Sequence, residues 1–288
     1  MTSLLEMEAF AESVESIEAA ASVIDSDTSS TLTVIAPLTL CGAFSHAMIE
    51  AALVDRGLTY NRRFHPYDSD SDGISIIIED QNEGPTFWDS NSLILTIRPS
   101  IVLALEGHRG DGRHGRLSPV AIAASFAERL APSGNRTSRL RPFALAGNWL
   151  HDALDQAYDP VYTSLRDYLK EIGSIDVKPL PEIPDPDVSM LPGVDKFALE
   201  SLHLAWSSMD QEDKARALSN LLLPLIPLDL PSTPRVEELG WHRVIAPSWS
   251  RDLASQIHDI VQAFHSAENE RLFLSRLIDS LVRDGMHI

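Results

Sequence analysis

The stretch TLTVIAPLTLCGAFSHAMIEAALVDRGLTYNRRF, residues 31–64, decides the fold. Its opening, TLTVIAPL, is apolar and rich in β-branched residues, which is typical of a strand covered on both faces. A glycine-containing turn follows, and then a helix over 43–56 that ends at Gly57, a residue suited to a helix C-terminus. LTYNRRF alternates like a second strand. This order of elements predicts an α/β domain with a mainly parallel sheet.

More strands and then a series of helices are predicted downstream of this unit. GISIIIED (73–80) and SLILTI (92–97) have the apolar runs of buried strands. Ser118 and Pro119 then suit the N-cap and first position of a helix. Further helical patterns follow, among them RLRPFALAGNWLHDALD (139–155) and ASQIHDIVQAFHSAENERLFLSRLIDSLVRDG (254–285). We therefore expect a sheet flanked by helices, followed by a mostly helical C-terminal region.

Composition and proline content divide the chain into four predicted segments. Residues 1–30 form a helix and a polar linker, and residues 31–177 form the α/β domain. Residues 178–193 contain five prolines, which predicts a linker, and residues 194–288 form a mostly helical domain. An apolar stripe at helical spacing runs through 257–281. Such a stripe packs on the α/β domain or on a second chain, and packing within the chain is the commoner outcome.

The charge balance bears on the environment and on partners. The formal net charge is −19, and only four of the 23 basic residues are lysines. This balance favours adaptation to concentrated salt; the alternative is an ordinary acidic protein that prefers arginine. An acidic surface repels nucleic acid at low ionic strength, but salt screens the repulsion, so nucleic-acid binding stays open with weak support.

Residue types and run lengths exclude several classes of protein. Cys41 is the only cysteine, which rules out an internal disulfide and a cysteine-based zinc cluster. No apolar run reaches the roughly 18 residues of a membrane-spanning helix, and the acidic N-terminus lacks the features of a signal peptide. These features predict a cytoplasmic protein without a membrane span.

Three candidate sites are each weighed against a structural role. Cys41 lies in the first strand-to-helix turn, but His46 points elsewhere on a helix, so a buried apolar role is favoured over a nucleophile. GHRGDGRHG (107–115) has the residues of a phosphate or metal site but matches no known loop, and an exposed flexible loop is favoured. His151 and Asp152 diverge by about 100° on a helix, which argues against joint metal ligation.

Taken in order, TVIAPLTLCGAFSHAMIEAAL, IIIED and GRLSPVAIAASFAERL resemble the DHH phosphoesterase superfamily, in particular the archaeal RecJ-like proteins. In that family the first strand ends in D-x-D-G. Gly42 is in the expected place here, whereas Thr39 and Cys41 stand where the two aspartates belong. The resemblance covers roughly residues 31–172 and, more weakly, the helical region to about residue 225.

The resemblance also assigns three later positions. Asp80 corresponds to the family's next acid, and Asp152 to its last metal-binding acid. Arg98 lies in TIRP, where the D-H-H signature is expected. The family's two Mn²⁺ or Mg²⁺ ions require several carboxylate and histidine ligands, which Thr, Cys, Ile and Pro do not supply. We therefore predict no catalytic residues and no metal cofactor; the alternative is residual Mn²⁺ or Mg²⁺ binding.

What the resemblance implies is a catalytically inactive accessory protein, a protein-binding scaffold in DNA replication or repair. An inactive member of the superfamily works with GINS as a scaffold in the CMG replicative helicase, so the expected partner is of the GINS or helicase type. One alternative is a divergent metal-dependent phosphoesterase or exonuclease acting on single-stranded nucleic acid or nucleotides. Another is an unrelated α/β protein that binds a small molecule.

Overall fold

The protein is α/β, as the sequence predicts, with a mainly parallel sheet. The structure is a computed structural model, and it describes residues 3–65, 73–106, 111–151, 153–156, 158–228, 231–247 and 249–285. Within these ranges one sheet has five strands in the order β2-β1-β3-β5-β4, and only β4 is antiparallel to its neighbour. The strands are β1 (Leu32–Ala36), β2 (Tyr60–Phe64), β3 (Ser75–Ile78), β4 (Phe87–Asp89) and β5 (Ile94–Ile97).

Helices cover the sheet and make up most of the C-terminal region, which confirms the predicted fold class. α2 packs on β1 and β2, α1 packs on β4 and β5, and α3 contacts both helices. The helices are α1 (Ala11–Ser26), α2 (Leu40–Arg56), α3 (Pro119–Leu130), α4 (Asn135–Leu140), α5 (Ala146–Leu150), α6 (Ala153–Gln156), α7 (Pro160–Glu171), α8 (Lys196–Trp206), α9 (Gln211–Leu222), α10 (Thr233–Trp241), α11 (Leu253–His265) and α12 (Glu270–Asp284). Among the described residues, no helix is both long and apolar enough to cross a bilayer.

The stretch that opens the domain folds as predicted, and its ends explain why. β1 is buried along its whole length, as its continuous apolar run requires. The Thr39 side chain caps α2, which therefore begins three residues earlier than predicted. Gly57 ends the helix with φ +67°, a left-handed conformation that glycine adopts without steric cost.

Several predicted loops and helices differ in the structure. Residues 112–115, predicted as part of a flexible loop, belong to β7 (Gly112–Leu117), which pairs with β6 (Ser100–Glu106); residues 107–110 lie outside the described part of the chain. Pairing with β6 satisfies the backbone hydrogen-bonding groups of this polar, glycine-rich segment. The partner strand is a separate segment, so the local sequence of β7 does not indicate the pairing. β4 lies between the predicted strands 73–80 and 92–97, in a segment for which the sequence predicts no strand.

Two predicted continuous helices are broken. The pattern after Arg141 divides into a 3₁₀ segment (Arg141–Leu145), α5 and α6, and the extended backbone of His151 separates the last two. The C-terminal pattern divides into α11 and α12, and Asn269 caps the second helix by accepting from Leu272 N at 2.9 Å. The apolar stripe of α12 packs on α2, so this face is buried within the chain.

The proline-rich segment 178–193 contains packed residues. Leu180, Ile183 and Leu191 are buried there. Just before it, β8 (Asp176–Lys178) pairs antiparallel with β9 (Arg243–Ile245) and joins two distant parts of the chain. The guanidinium of Arg243 is fully buried and donates to Asp252 at 2.9 Å. The division into domains remains a prediction.

Candidate functional site

The carboxyl ends of β1 and β3 bring Thr39, Cys41 and Asp80 together. The Thr39 hydroxyl accepts a hydrogen bond from Gly42 N at 3.0 Å and donates one to Asp80 Oδ2 at 2.5 Å. Ligand sites of open α/β sheets lie at this edge, where loops leave parallel strands. The side chains that the sequence singled out there are therefore neighbours in space.

Gly42 is required by the tight path of the turn. An ideal Cβ at this position lies 2.3 Å from the carbonyl oxygen of Pro37, a separation that real Cβ atoms do not adopt. The glycine thus lets the turn fold back onto the first turn of α2. The predicted strand-to-helix turn is therefore present, with Thr39 as the N-cap of the helix.

Cys41 does not have the surroundings of a nucleophile. Burial, and next the charge of Asp80, raise the pKa of the thiol to about 12. The thiol therefore stays protonated near neutral pH, where a reactive cysteine needs its thiolate. His46 instead has its ring nitrogens 3.1 Å from Arg63 O and 3.2 Å from Glu50 Oε1.

Arg116, which sequence reasoning missed, also lies at this edge. Its Nη2 donates to the backbone oxygen of Asp80 at 2.7 Å, and its Nε lies 3.7 Å from Glu83 Oε1. The residue comes from β7, most of which lies in the predicted loop 107–115. Nothing local distinguishes it from the many other arginines, so only the hairpin pairing reveals its position.

A small cavity connects the strand ends to α5. Its volume is about 160 Å³, and its lining includes Cys41, Asp80, Arg116, Asn148 and His151. Asn148 is buried, and its Nδ2 donates to Arg116 O and Asp159 Oδ2, both at 2.8 Å. His151 thus lies near the cleft, while its neighbour Asp152 lies outside the described residues.

Arg98 follows β5 and forms an ion pair with Glu79, not with a group beside the Cys41 thiol. Its Nε and Nη2 donate to the two carboxylate oxygens of Glu79 at 3.0 and 2.9 Å. Those hydrogen bonds hold the pKa of Glu79 below its usual value, although partial burial opposes them. The site therefore has an arginine–carboxylate pair at the position where the resemblance expects D-H-H.

The described residues of the cleft do not fit a pair of Mn²⁺ or Mg²⁺ ions. In the described part of the chain, no three His, Cys, Asp or Glu side chains cluster as metal ligands. Asp80 is hydrogen-bonded to a neutral hydroxyl, and the cationic Arg116 lies beside it. Hard divalent cations need several anionic oxygens.

A second polar cluster lies further along α2, and sequence reasoning did not identify it. Glu50 is fully buried, and its carboxylate accepts from Arg62 Nε and Nη2, both at 2.6 Å, and from Tyr60 at 3.0 Å. Burial raises the pKa of Glu50, but the hydrogen bonds from Arg62 and His46 outweigh it and lower the pKa overall. Arg62 also donates to Asp279 of α12 at 2.8 Å, which links α12 to α2 and β2.

Comparison with known proteins identifies a structural neighbour. The chain is similar to the crystal structure of CDC45 from Entamoeba histolytica, with a TM-score of 0.49 and 10% sequence identity, covering 97% of this chain and 68% of that chain. A likeness at this level carries no argument about family or activity. No family model and no curated protein sequence matches the chain.

Proposed function

We propose that this chain is a catalytically inactive, RecJ/DHH-like accessory protein that acts as a protein-binding scaffold in DNA replication or repair. The supporting observation is the 2.5 Å hydrogen bond between Thr39 and Asp80. By the sequence resemblance, Thr39 occupies the position of a metal-binding aspartate. Here its hydroxyl caps a helix and donates to the one acid of the cleft that the structure describes.

The chemistry of the neighbouring groups supports inactivity. A thiol whose pKa is raised to about 12 is a poor ligand for hard cations and stays neutral near pH 7. Arg116 places positive charge beside Asp80, which disfavours a divalent cation there. The described groups of the cleft therefore supply too few anionic ligands to hold the metal pair that would activate water for attack on a phosphodiester.

A nuclease assay on the full chain tests inactivity. A labelled single-stranded oligonucleotide and a dinucleotide are incubated with the protein in Mn²⁺ or Mg²⁺, at low and high salt. We expect nucleotide release no faster than without protein, and no change in Asp80→Ala. Manganese-dependent release that Asp80→Ala abolishes would establish a divergent phosphoesterase instead.

A capture experiment tests the scaffold. The tagged full chain is used to capture proteins from a native extract at high salt, and we expect a replication or repair protein, of the GINS or helicase type. Recovery of no such protein contradicts the scaffold role, whatever the nuclease assay gives.

A further inference from the structure

Large apolar side chains are exposed together on the C-terminal helices. Phe197 and Leu204 of α8 are 77% and 81% exposed, and Ile226, just after α9, is 75% exposed. Leu223 and Leu228 are exposed beside it. Single exposed apolar residues are common on proteins, whereas a concentration of them marks an interaction surface. We call these five residues the apolar ridge.

A groove lies next to this ridge, between the end of α9 and α10. Its volume is about 480 Å³, and its apolar lining includes Leu222, Leu225, Val236 and Trp241. This volume accommodates several aliphatic side chains. The combination of a groove and an exposed ridge is the geometry with which proteins bind the apolar face of a helix.

The two parts of the ridge are neighbours. Gly193, which precedes α8, lies against Pro224, since an ideal Cβ on the glycine is 3.3 Å from the proline Cβ. The Lys214 ammonium of α9 lies over the ring of Trp206 at the other end of α8, 5.3 Å from its centroid. The helices α8 and α9 therefore run side by side, and Phe197 lies at the same end as Leu223.

The charges around the groove indicate the kind of partner. Asp195 and Glu200 are exposed next to Phe197, and Glu237 lines the groove. The basic neighbours are Lys196 and, at the far end of α8, Lys214. Arg235 on the same helix as Glu237 is already paired with Asp155 at 2.7 Å. The rim is thus acidic, and the net charge of −19 disfavours a second copy of the chain as occupant.

We propose that the apolar ridge and its groove bind an amphipathic helix of another protein, whose apolar face is flanked by lysine or arginine. This proposal names the partner chemistry of the scaffold proposed above and rests on it. The apolar side chains of the helix enter the groove beside Ile226, and its basic residues face Glu200 and Glu237. Apolar burial supplies the affinity, and charge complementarity selects the partner.

Two synthetic helical peptides test the proposal on the full chain. Both carry leucine at positions i, i+3, i+4 and i+7; one has lysine at the flanking positions, and the other has glutamate. Fluorescence anisotropy gives the affinity of each. We expect the lysine peptide to bind at least about tenfold more tightly, and Ile226→Glu to weaken its binding about tenfold, as loss of a central apolar anchor does.

Leu272→Glu is the matched control, because it adds the same charge at a 47% exposed leucine on α12. We expect it to change the affinity by less than about twofold, since non-specific attraction to an acidic protein changes equally in both variants. Circular dichroism and the thermal midpoint check that both variants fold.

Equal weakening by the two variants, or equal binding of the two peptides, overturns the proposal. A dimer seen in sedimentation that Ile226→Glu abolishes also overturns it, because the occupant is then a second copy. These results are separate from those above. If neither peptide binds, the docking surface is contradicted, but the results of the nuclease assay and of the capture experiment still stand. If the protein has nuclease activity, the proposed function is contradicted, but the docking surface is not.

Discussion

Helix α2 contributes to two polar sites of opposite character. At the N-terminus of α2, the hydroxyl of the capping residue Thr39 donates a hydrogen bond to Asp80, which follows β3 and lines the cavity. Further along, the carboxylate of Glu50 is fully buried, with a bidentate arginine, a tyrosine and a histidine around it. The charge network around Glu50 holds α2, β2 and α12 together, whereas the acid at the strand ends lies beside a cavity with a hydroxyl as its hydrogen-bond donor.

The buried cluster should be the more sensitive of the two sites. In Glu50→Ala, Arg62 and His46 lose their common acceptor, and breaking such a buried pair costs several kcal/mol. We expect about 3 kcal/mol of lost unfolding free energy, at the lower end of that range, because Arg62 keeps Asp279. Denaturant unfolding at fixed salt measures it, and hydrogen exchange should become faster in α12.

The control for this variant is an exposed carboxylate. Glu212→Ala removes an i,i+4 pair with Arg216 on the surface of α9, which is worth about 0.3–0.5 kcal/mol. If Glu50→Ala and Glu212→Ala lose the same unfolding free energy, burial is not what makes the interactions of Glu50 strong.

The next largest loss of stability is expected from a substitution in the turn before α2, at Gly42. In Gly42→Ala the new methyl group collides with the carbonyl oxygen of Pro37, and overpacking of this kind costs about 1–3 kcal/mol. The gain in helix propensity is at most about 1 kcal/mol, so a net loss remains. Thermal and denaturant unfolding check this. In Gly84→Ala the new Cβ meets Arg98 at an ordinary 3.4 Å, so an equal loss there would contradict the steric explanation.

The Thr39 hydroxyl makes a smaller contribution. Thr39→Ala removes the helix cap and the hydrogen bond to Asp80, and we expect about 1 kcal/mol of lost stability. Thr39→Ser keeps the hydroxyl and should stay within a few tenths of a kcal/mol of the parent. If serine loses as much as alanine, packing of the methyl group and not the hydroxyl is what matters.

The smallest expected effect is a dependence on pH at the Arg98–Glu79 pair. The folded-state pKa of Glu79 is lowered, so its stabilisation is complete above the unfolded-state pKa of about 4.3 and is lost as the pH falls through the lower folded-state value. Unfolding free energies from pH 3 to 7 should therefore fall less steeply with acid in Glu79→Gln. An unchanged acid slope would show that the pair has no net effect.

The parts of the fold that the sequence predicts are those with continuous local patterns. The apolar runs of β1, β3 and β5 and the capped helix α2 are visible in the residues themselves. The hairpin of β6 and β7 is not, because GRHGRL is polar and becomes a strand through pairing with a distant segment. The same reason hides Arg116, whereas Thr39, Cys41 and Asp80 follow predicted strands, and the structure places them close together.

The Glu50 cluster illustrates a second limit. Its members come from α2, β2 and α12, so no spacing in the sequence connects them. A carboxylate in an otherwise apolar helix, as in SHAMIEAAL, was the only local sign that a partner must exist.

The pairing of β8 with β9 has a consequence for how this protein can change over time. Antiparallel partners lie about 5 Å apart, so the intervening polypeptide leaves and returns at almost one point. Insertions or deletions between Lys178 and Arg243 can therefore alter the segment that carries the apolar ridge without displacing α11 and α12. The proposed docking surface can therefore change in length and sequence while the two strands keep the ends of its segment in place.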